Sequence, residues 1–226
     1  MMRWIANLWW GIIHFGFRLL YNELAFTYDI VSKIVSLGSW RCWQRAVLKH
    51  FDIEPGALVL ELAHGTGDLQ IDLINAGYKT IGYDLSPYMG RIAQRKLKRN
   101  GLPSTLVQGR AQQLPFADSS FDVVVSTFPT EFIIAEQTLR EVNRVLKDNG
   151  RFVIVSVGMF TGGGIIKSFL EWLYRITGQR GEIRDEVAAI FVKNGFEIEF
   201  VQEKCPRSFV QLIVGVRSPH EQNTSS

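Results

Sequence analysis

A glycine-rich turn and two acidic residues form the part of this sequence best suited to bind a nucleotide-like cofactor. The turn, His64-Gly65-Thr66-Gly67, follows an apolar run that contains Glu61, and Asp84 stands 17 residues after Gly67. Glycines let the backbone approach a ligand closely, and the start of the next helix offers unpaired N–H donors to an anionic group. An acid at the end of the following strand can accept hydrogen bonds from ribose hydroxyls. The pattern therefore predicts a site for a ribose-containing cofactor.

The spacing of the turn argues against a dinucleotide. The G-x-G-x-x-G fingerprint needs a glycine three residues after its second glycine, and position 70 is Gln70. A cofactor that uses the turn and the strand-end acid without the third glycine fits better.

Strand and helix patterns alternate in the way that builds a parallel sheet. Strands are predicted at residues 57–62, 80–83, 104–108, 121–126, 151–157, 196–202 and 209–216, the last two turning near Pro206. Helices are predicted at 68–75, from Ser86-Pro87 onward, at 135–146 with a stop at 148–150, and at 184–194. The predicted fold is α/β and Rossmann-like: a doubly wound, seven-stranded, mostly parallel sheet with a terminal antiparallel hairpin.

The segments outside this pattern are predicted to surround the site. Residues 1–50 form an N-terminal helical lid that faces a substrate or a membrane, and residues 51–217 form the cofactor-binding domain. An insertion at 161–182 is expected to act as a substrate cap, because its large apolar residues recur at helical spacing. The polar residues 218–226 are expected to be a disordered tail.

The beginning of the chain leaves three interpretations open. Residues 4–20, WIANLWWGIIHFGFRLL, are apolar but interrupted by Asn7, His14 and Arg18, and a membrane span needs about 20 apolar residues. The tryptophans and flanking arginines suit a helix at a lipid–water interface. Packing on the chain's own domain or on a partner subunit is the second interpretation, and a true span is the third.

The composition and charge of the chain limit the kinds of partner that it can be expected to bind. The 226 residues are 46% hydrophobic and 21% charged, which allows one full core and excludes a wholly disordered chain. The net charge is +3, and residues 1–50 carry six basic and two acidic side chains. Because so small a charge gives little affinity for phosphates, and no basic face is clustered, nucleic acid is not expected as a partner.

The cysteine pattern predicts a reduced, cytoplasmic protein. Cys42 and Cys205 lie far apart in the chain and form neither a C-x-x-C pair nor a metal-ligand spacing. We therefore expect no disulfide and no metal site.

Four separated motifs resemble the class I S-adenosylmethionine-dependent methyltransferases. VLELAHGTGDL, GYDLSPYM, VQGRAQQLPFADSSFDVVVS and LREVNRVLKDNGRFVIV occur in the order and spacing of that superfamily. The segment LAFTYDIVSKIVSLGSWRCWQRAVL is similar to the N-terminal signature of the ubiquinone/menaquinone-biosynthesis C-methyltransferases, and small bacterial phospholipid N-methyltransferases share some of it. The resemblance implies an enzyme with S-adenosyl-L-methionine as its cofactor.

The resemblance also implies which positions hold the cofactor. The glycine turn would approach the methionine end through its backbone, Glu61 would compensate the cationic end, and Asp84 would accept both ribose hydroxyls. Tyr28 would cap the methionine end, and Leu85 and Met89 would line the adenine. The full set is Tyr28, Glu61, Ala63, His64, Gly65, Thr66, Gly67, Asp84, Leu85, Met89, Gly109, Arg110, Ala111, Gln112, Ser126, Thr127 and Phe128.

Two places depart from the family pattern. Arg110 stands where relatives commonly have Asp or Asn, and a guanidinium only donates hydrogen bonds. Gln112 or a backbone carbonyl is therefore expected to accept from the adenine amino group. After the fourth strand the quinone-type enzymes usually have Gly-x-Arg-Asn, whereas residues 128–132 read FPTEF.

The expected reaction is methyl transfer to a small lipophilic acceptor. Displacement at a sulfonium needs mainly orientation and exclusion of water. Carbon methylation of a phenol-type ring would also need proton removal, for which Glu131 and His64 are the catalytic candidates. The alternatives are that Glu131 is an ordinary solvated loop acid and that His64 merely fills its place in the turn.

Because the lid and the cap are apolar, a quinone-precursor-like ring or a phospholipid headgroup taken from a membrane surface is expected as the acceptor. The enzyme would then be cytoplasmic and peripheral on the inner membrane face, with a homodimer left open. A different class of function also stays open: a catalytically silent cofactor-binding subunit that docks on a partner protein through the apolar N-terminal helix.

Overall fold

Alternating strands and helices make up residues 28–161 and 183–219, the parts of the chain that the computed structural model describes. The strands are β1 (Leu58–Leu62), β2 (Lys79–Asp84), β3 (Leu106–Gln108), β4 (Phe121–Thr127), β5 (Leu146–Phe160), β6 (Phe196–Cys205) and β7 (Ser208–Arg217). The helices are α1 (Tyr28–Val35), α2 (Trp40–Arg45), α3 (Asp68–Asn75), α4 (Pro87–Arg99), α5 (Glu136–Val145) and α6 (Ile183–Lys193), with 3-10 turns at Ala46–His50 and Glu131–Ile134.

The strands form one sheet in the order β3-β2-β1-β4-β5-β7-β6. Strands β1 to β5 pair in parallel, and β7 pairs antiparallel with both β5 and β6. The chain moves outward from β1 to β3 and then returns to the other side of β1 as β4. A crevice therefore opens at the carboxyl ends of β1 and β4, where ligands bind in open α/β sheets. The predicted fold is confirmed.

Helices cover both faces of the sheet, which explains why the central strands are continuous apolar runs. One face packs against α5 and α6 through buried residues such as Leu60, Leu62, Val124, Phe152, Leu139, Val142 and Phe191. The other face packs against α2, α3 and the first 3-10 turn through Val59, Val123, Val125, Val153, Trp43, Val47, Phe51, Leu69 and Leu73.

Local capping rules predicted two helix boundaries correctly. Helix α3 spans the predicted residues 68–75. Helix α4 begins at Pro87, and the Ser86 hydroxyl accepts a hydrogen bond from the Met89 backbone N–H at 3.3 Å. Serine as the cap and proline in the first turn are the residues that favour this start.

Strand β5 is longer than predicted. It begins at Leu146, which pairs with Phe121. It therefore includes residues 148–150, which we expected to lie outside any strand as the end of the preceding helix. The register shifts between Phe121 and Val123, so the polar residues of this stretch are accommodated in an irregularity of the sheet. Asn149 has the predicted left-handed backbone, with φ +60°.

The two cysteines form a disulfide, so the expectation of unpaired thiols is wrong. Cys42 in α2 and Cys205 at the end of β6 have Cα atoms 6.0 Å apart although 163 residues separate them. The fold brings α2 against the β6–β7 turn, where Trp43 Nε1 donates a 3.0 Å hydrogen bond to the Ser208 hydroxyl. Spacing along the chain carried no information about this approach, because it depends on the whole intervening domain.

Several predictions concern residues outside the described ranges. These are the apolar run 4–20, the cap 161–182 apart from Thr161, and the tail 218–226 beyond Pro219. The predicted domain boundaries stay predictions. Among residues 28–161 and 183–219, each helix is too short or too polar to span a membrane.

Breaking the Cys42–Cys205 disulfide should lower the stability of the fold. A crosslink that closes a loop of this length contributes up to about 5 kcal/mol to the free energy of unfolding in the chain-entropy description. We expect the Cys42→Ser variant to melt roughly 5–15 °C below the wild type, and dithiothreitol to lower the wild-type Tm similarly. The double variant Cys42→Ser/Cys205→Ser is the control, since its Tm should not respond to dithiothreitol. A wild-type Tm that also ignores the reductant would contradict a stabilising disulfide.

Candidate active site

A cavity of about 770 Å³ opens at the carboxyl ends of β1, β2 and β4. This volume lies within the range of roughly 300–1,000 Å³ that small-molecule sites occupy. Residues predicted to bind the cofactor supply most of its wall: Tyr28, Ala63, Gly65, Asp84, Leu85, Met89, Gly109, Arg110, Ala111, Gln112, Thr127 and Phe128. The fold therefore brings together residues that come from five separate parts of the sequence.

Asp84 connects the glycine turn to the end of β2. Its Oδ2 accepts a hydrogen bond from the Gly65 backbone N–H at 2.9 Å, and its Oδ1 accepts one from the Ser86 backbone N–H at 2.7 Å. Each carboxylate oxygen has further lone pairs, and Asp84 lines the cavity. The side chain is thus held in one orientation while it can still accept hydrogen bonds from a ligand.

Gly67 allows two helices to approach behind the turn. It adopts a left-handed backbone with φ +81°, and α3 begins at the next residue. A Cβ atom at this position would lie 2.8 Å from the Ala93 Cβ in α4, which is closer than real Cβ atoms come. Gly67 does not line the cavity, so its role in the described structure is to shape the turn rather than to touch a ligand.

Glu61 lies behind the turn rather than on the cavity wall. Its side chain is 1% exposed, and its Oε2 accepts a 2.7 Å hydrogen bond from Gln70 Nε2. Burial raises the pKa of Glu61 to about 8, and the nearby Asp84 carboxylate adds to the rise against the lowering effect of Gln70. A cation in the cavity would favour the charged form of this carboxyl.

The structure places neither predicted catalytic residue on the cavity wall. His64 is buried, its Nδ1 lies 2.9 Å from the Gly65 carbonyl oxygen, and burial lowers its pKa, so the ring is held neutral. Glu131 is exposed in the second 3-10 turn, between the wall residues Thr130 and Phe132. Their catalytic roles stay predictions.

Two other predicted cofactor residues face the protein interior. The Ser126 hydroxyl donates a 2.8 Å hydrogen bond to the Leu62 carbonyl oxygen and so ties β4 to β1. The Thr66 hydroxyl donates to Asp29 Oδ1 at 2.6 Å, which connects the turn to α1. Both support the site from behind.

Six wall residues were missed by the sequence reasoning: Tyr83, Ser86, Pro129, Thr130, Phe132 and Gln137. In the sequence nothing distinguishes Tyr83 from an ordinary strand residue. In the structure its hydroxyl donates a hydrogen bond to the Gln113 carbonyl oxygen at 3.1 Å and thereby supports the loop at 109–113. Gln137 comes from α5 in the sequence stretch after the fourth strand, and no local pattern marks it. The sequence does indicate that the two residues after Phe128 lie at the site, because they follow the end of a strand at the edge of the sheet where ligands bind.

Aromatic side chains form the wall beyond the end of β4. Phe128 has a left-handed backbone with φ +51°, an unusual conformation for a bulky residue. Its ring stacks on the Trp40 ring, with centroids 4.3 Å apart and an interplanar angle of 22°, and Trp40 in turn meets Tyr28 edge-on at 6.1 Å. Strained residues of this kind persist where the surrounding packing holds them, as it does here.

The chain matches a family of known enzymes. A model described as the ubiE/COQ5 methyltransferase family matches residues 17–190. The ubiquinone/menaquinone biosynthesis C-methyltransferase UbiE of Blochmanniella pennsylvanica is 32% identical over 165 residues, which cover 65% of each chain. The demethylmenaquinone methyltransferase of Symbiobacterium thermophilum is 29% identical over 74% of this chain and 73% of its own. That of Beutenbergia cavernae is 38% identical over 60% of this chain and 55% of its own. The chain thus spans between about half and three quarters of the length of these relatives.

Solved structures share the fold at low identity. A Haemonchus contortus phosphoethanolamine N-methyltransferase 2, in complex with phosphomonomethylethanolamine and S-adenosylhomocysteine, has a TM-score of 0.62 at 18% identity, covering 80% of this chain and 53% of its own. A SAM-dependent methyltransferase from Aquifex aeolicus has a TM-score of 0.56 at 19% identity, covering 76% and 88%. These likenesses concern the fold alone.

The buried Glu61 carboxyl should make stability depend on pH. A folded-state pKa of about 8 lies above the 4.5 of an unburied glutamate, so the folded state holds an extra proton, and the stability that this gives is lost as the pH rises from 4.5 towards 8. Glu61→Gln mimics the protonated form, so its Tm relative to the wild type should rise progressively between these pH values. Thermal melts across the range measure this, with the exposed Glu54→Gln as the matched control. A Tm difference that does not change with pH would show that Glu61 is ionised throughout.

Proposed function

Since this chain belongs to the ubiE/COQ5 methyltransferase family, we propose that it transfers the methyl group of S-adenosylmethionine to a small, lipophilic, ring-bearing acceptor. The observation that carries the proposal is the cavity at the sheet's carboxyl edge, which has the Asp84 carboxylate on one side and the Phe128 ring on the other. The named relatives act in ubiquinone and menaquinone biosynthesis, which supports a quinone-precursor-like ring.

The residues of the cavity fit the cofactor. The Asp84 carboxylate, fixed by two backbone N–H groups, would hold the ribose hydroxyls. Leu85 and Met89 offer apolar surface for an adenine ring, and Gly109 to Gln112 lie beside them on the wall. The buried Glu61 carboxyl behind the turn would balance the positive charge of the methionine end.

The chain's own residues orient the acceptor and exclude water. When bound, S-adenosylmethionine supplies an electrophilic methyl group on a sulfonium. Phe128 would stack on the acceptor ring, and Tyr28 would close the cavity from α1, so that the two reactants are held together in a dry site. Methylation of a ring carbon also releases one proton, because the methyl group replaces a hydrogen. Among the described wall residues Asp84 is the acidic one and is assigned to the ribose, so this proton would pass to solvent or to Glu131, which lies between the wall residues Thr130 and Phe132.

The surface of α1 supports an acceptor taken from a membrane. Ile30 and Ile34 are 60% and 67% exposed, and Leu37 just after the helix is also exposed. These side chains follow Tyr28, which lines the cavity. An apolar surface next to the cavity would let a lipophilic acceptor pass from a bilayer into the site, with the enzyme peripheral on the membrane.

A phospholipid headgroup is the second acceptor that we consider. The guanidinium of Arg110 on the wall offers a charge partner for a phosphate. The aromatic stack at Phe128 favours the ring. A catalytically silent subunit finds no support in the comparisons, since the named relatives are methyltransferases.

Removing the Asp84 carboxyl should abolish cofactor binding. Two charge-assisted hydrogen bonds to a ligand contribute about 3 kcal/mol or more, so Asp84→Ala should weaken S-adenosylhomocysteine binding by about 100-fold or more. Isothermal titration calorimetry measures the affinity. The exposed Asp185→Ala is the matched control and should bind like the wild type. A folded wild type that does not bind, or an Asp84→Ala variant that binds equally well, would overturn the cofactor assignment.

Changing Phe128 should affect the acceptor more than the cofactor. We expect Phe128→Ala to raise the KM for a short-chain hydroxynaphthoquinol acceptor by about tenfold, because ring stacking and apolar contact are lost. S-adenosylhomocysteine affinity should change by less than about threefold, since the hydrogen-bonding residues remain. Phe128→Leu keeps much of the apolar volume, so its KM for the acceptor should lie between those of the wild type and Phe128→Ala. Transfer of labelled methyl to phosphatidylethanolamine but not to the quinol would show that the ring assignment is wrong.

A further inference from the structure

A cluster of polar and charged side chains joins α1 to the cofactor turn. Asp29 in α1 accepts a hydrogen bond from the Thr66 hydroxyl at 2.6 Å through Oδ1, and its Oδ2 lies 2.6 Å from Lys96 Nζ. Lys96, in α4, also donates to Thr66 Oγ1 at 3.0 Å and to Asp68 Oδ1 at 2.8 Å. We call Asp29, Thr66 and Lys96 the latch.

The latch is only partly accessible to water, which strengthens it. Thr66 is 4% exposed, and the side chains of Lys96 and Asp29 are 22% and 31% exposed. Charges at such positions are screened less than those of a surface pair, and each partner makes more than one polar contact. The latch is therefore better placed to hold an element than an exposed ion pair would be.

Helix α1 has few apolar attachments of its own. Within it, Ser32 is the buried residue, whereas Ile30 and Ile34 are more than half exposed. Tyr28 meets the Trp40 ring edge-on. The two isoleucines, the largest aliphatic side chains of the helix, thus bury less than half of their surface, which leaves a large share of the attachment to the latch.

The latch acts on both sides of the cavity. Asp29 follows Tyr28, which lines the cavity, and Thr66 follows Gly65, whose backbone N–H is bound by Asp84. A ligand that fixes the glycine turn would therefore also fix the Thr66 hydroxyl and, through it, the first turn of α1.

We propose that Asp29 is a positioning residue that holds Tyr28 over the cavity by tying α1 to Thr66 and Lys96, so that cofactor binding and closure of α1 are coupled. The inference rests on the proposed function, because it takes the glycine turn as the cofactor site. Asp29 itself does not touch the cavity, so it acts through Tyr28 and through the turn.

Asp29→Ala is a suitable variant for the test, because it removes the latch carboxylate and leaves the neighbouring charges paired. In Asp29→Ala, Lys96 keeps its contact with Asp68, and Arg41 keeps its contacts with Asp68 and Asp72, so the remaining charges stay paired and the domain should fold. Lys33→Gln is the matched control, since it removes a charge from the same helix at an exposed position. Asp29→Glu keeps the carboxylate and should restore part of the attachment.

Hydrogen exchange of the α1 backbone, with and without S-adenosylhomocysteine, measures the attachment directly. We expect exchange at residues 28–35 to be about fivefold to tenfold faster in Asp29→Ala than in the wild type, and the protection gained on ligand binding to be lost. Affinity for S-adenosylhomocysteine should fall by about threefold to tenfold, as expected for one partly buried ion pair. Raising NaCl from about 0.05 M to about 0.5 M should speed exchange in the wild type and not in Asp29→Ala.

The possible results test the attachment of α1, its coupling to ligand binding and the proposed function separately. Equal α1 exchange in the wild type and Asp29→Ala, or a matching change in Lys33→Gln, would overturn the latch. Faster exchange without loss of ligand-induced protection would overturn the coupling. A wild type that does not bind S-adenosylhomocysteine would overturn the proposed function, while exchange in the ligand-free chains would still decide whether Asp29 holds α1.

Discussion

The hydrogen bonds of the Asp84 carboxylate are the constraint on which the site depends. They join the turn after β1 to the end of β2 and to the start of α4. Because both carboxylate oxygens are held by backbone N–H groups, the side chain needs no rearrangement to accept a ligand's hydroxyls. Gly67 and Ala93 allow the helices behind the turn to pack closely enough for this geometry. The Asp84 end of the cavity, where we propose that the cofactor binds, is therefore held by hydrogen bonds between neighbouring elements.

The Phe128 end, where we propose that the acceptor binds, is held instead by contacts between distant parts of the chain. Trp40 and Trp43 bring α2 against Phe128 at the end of β4, and Gln44 Nε2 donates to the Thr127 hydroxyl at 3.3 Å. The disulfide holds the far side of α2 to β6. Because the two ends rest on different contacts, the wall at Phe128 can vary in sequence without disturbing the turn at Gly65.

What could be predicted from the sequence follows the same division. The glycine turn, Asp84 and the Ser86 cap obey rules that span only a few residues; the turn and the cap form where the sequence predicts them, and Gly65 and Asp84 line the cavity. The Cys42–Cys205 pair and the contact of Asp29 with Lys96 join residues far apart in the chain, and no spacing indicates them. The sequence could not show that Glu61 and His64 lie behind the wall, because a residue next to a turn can point to either side, and only the contacts with Gln70 and Gly65 fix the side.

The hydrogen bond between Trp43 and Ser208 has a consequence for how the enzyme is made. It joins residues 165 positions apart, one near the beginning of the described chain and one in its final hairpin. A ribosome releases α2 long before it has synthesised the β7 strand on which α2 rests. The elements that supply the described cavity wall, up to Gln137 in α5, therefore leave the ribosome before the strand that supports α2. A chain cut short after β5 would contain each described wall residue and yet lack Phe191, Leu212 and Val214, which help to form the cores on the two faces of the sheet.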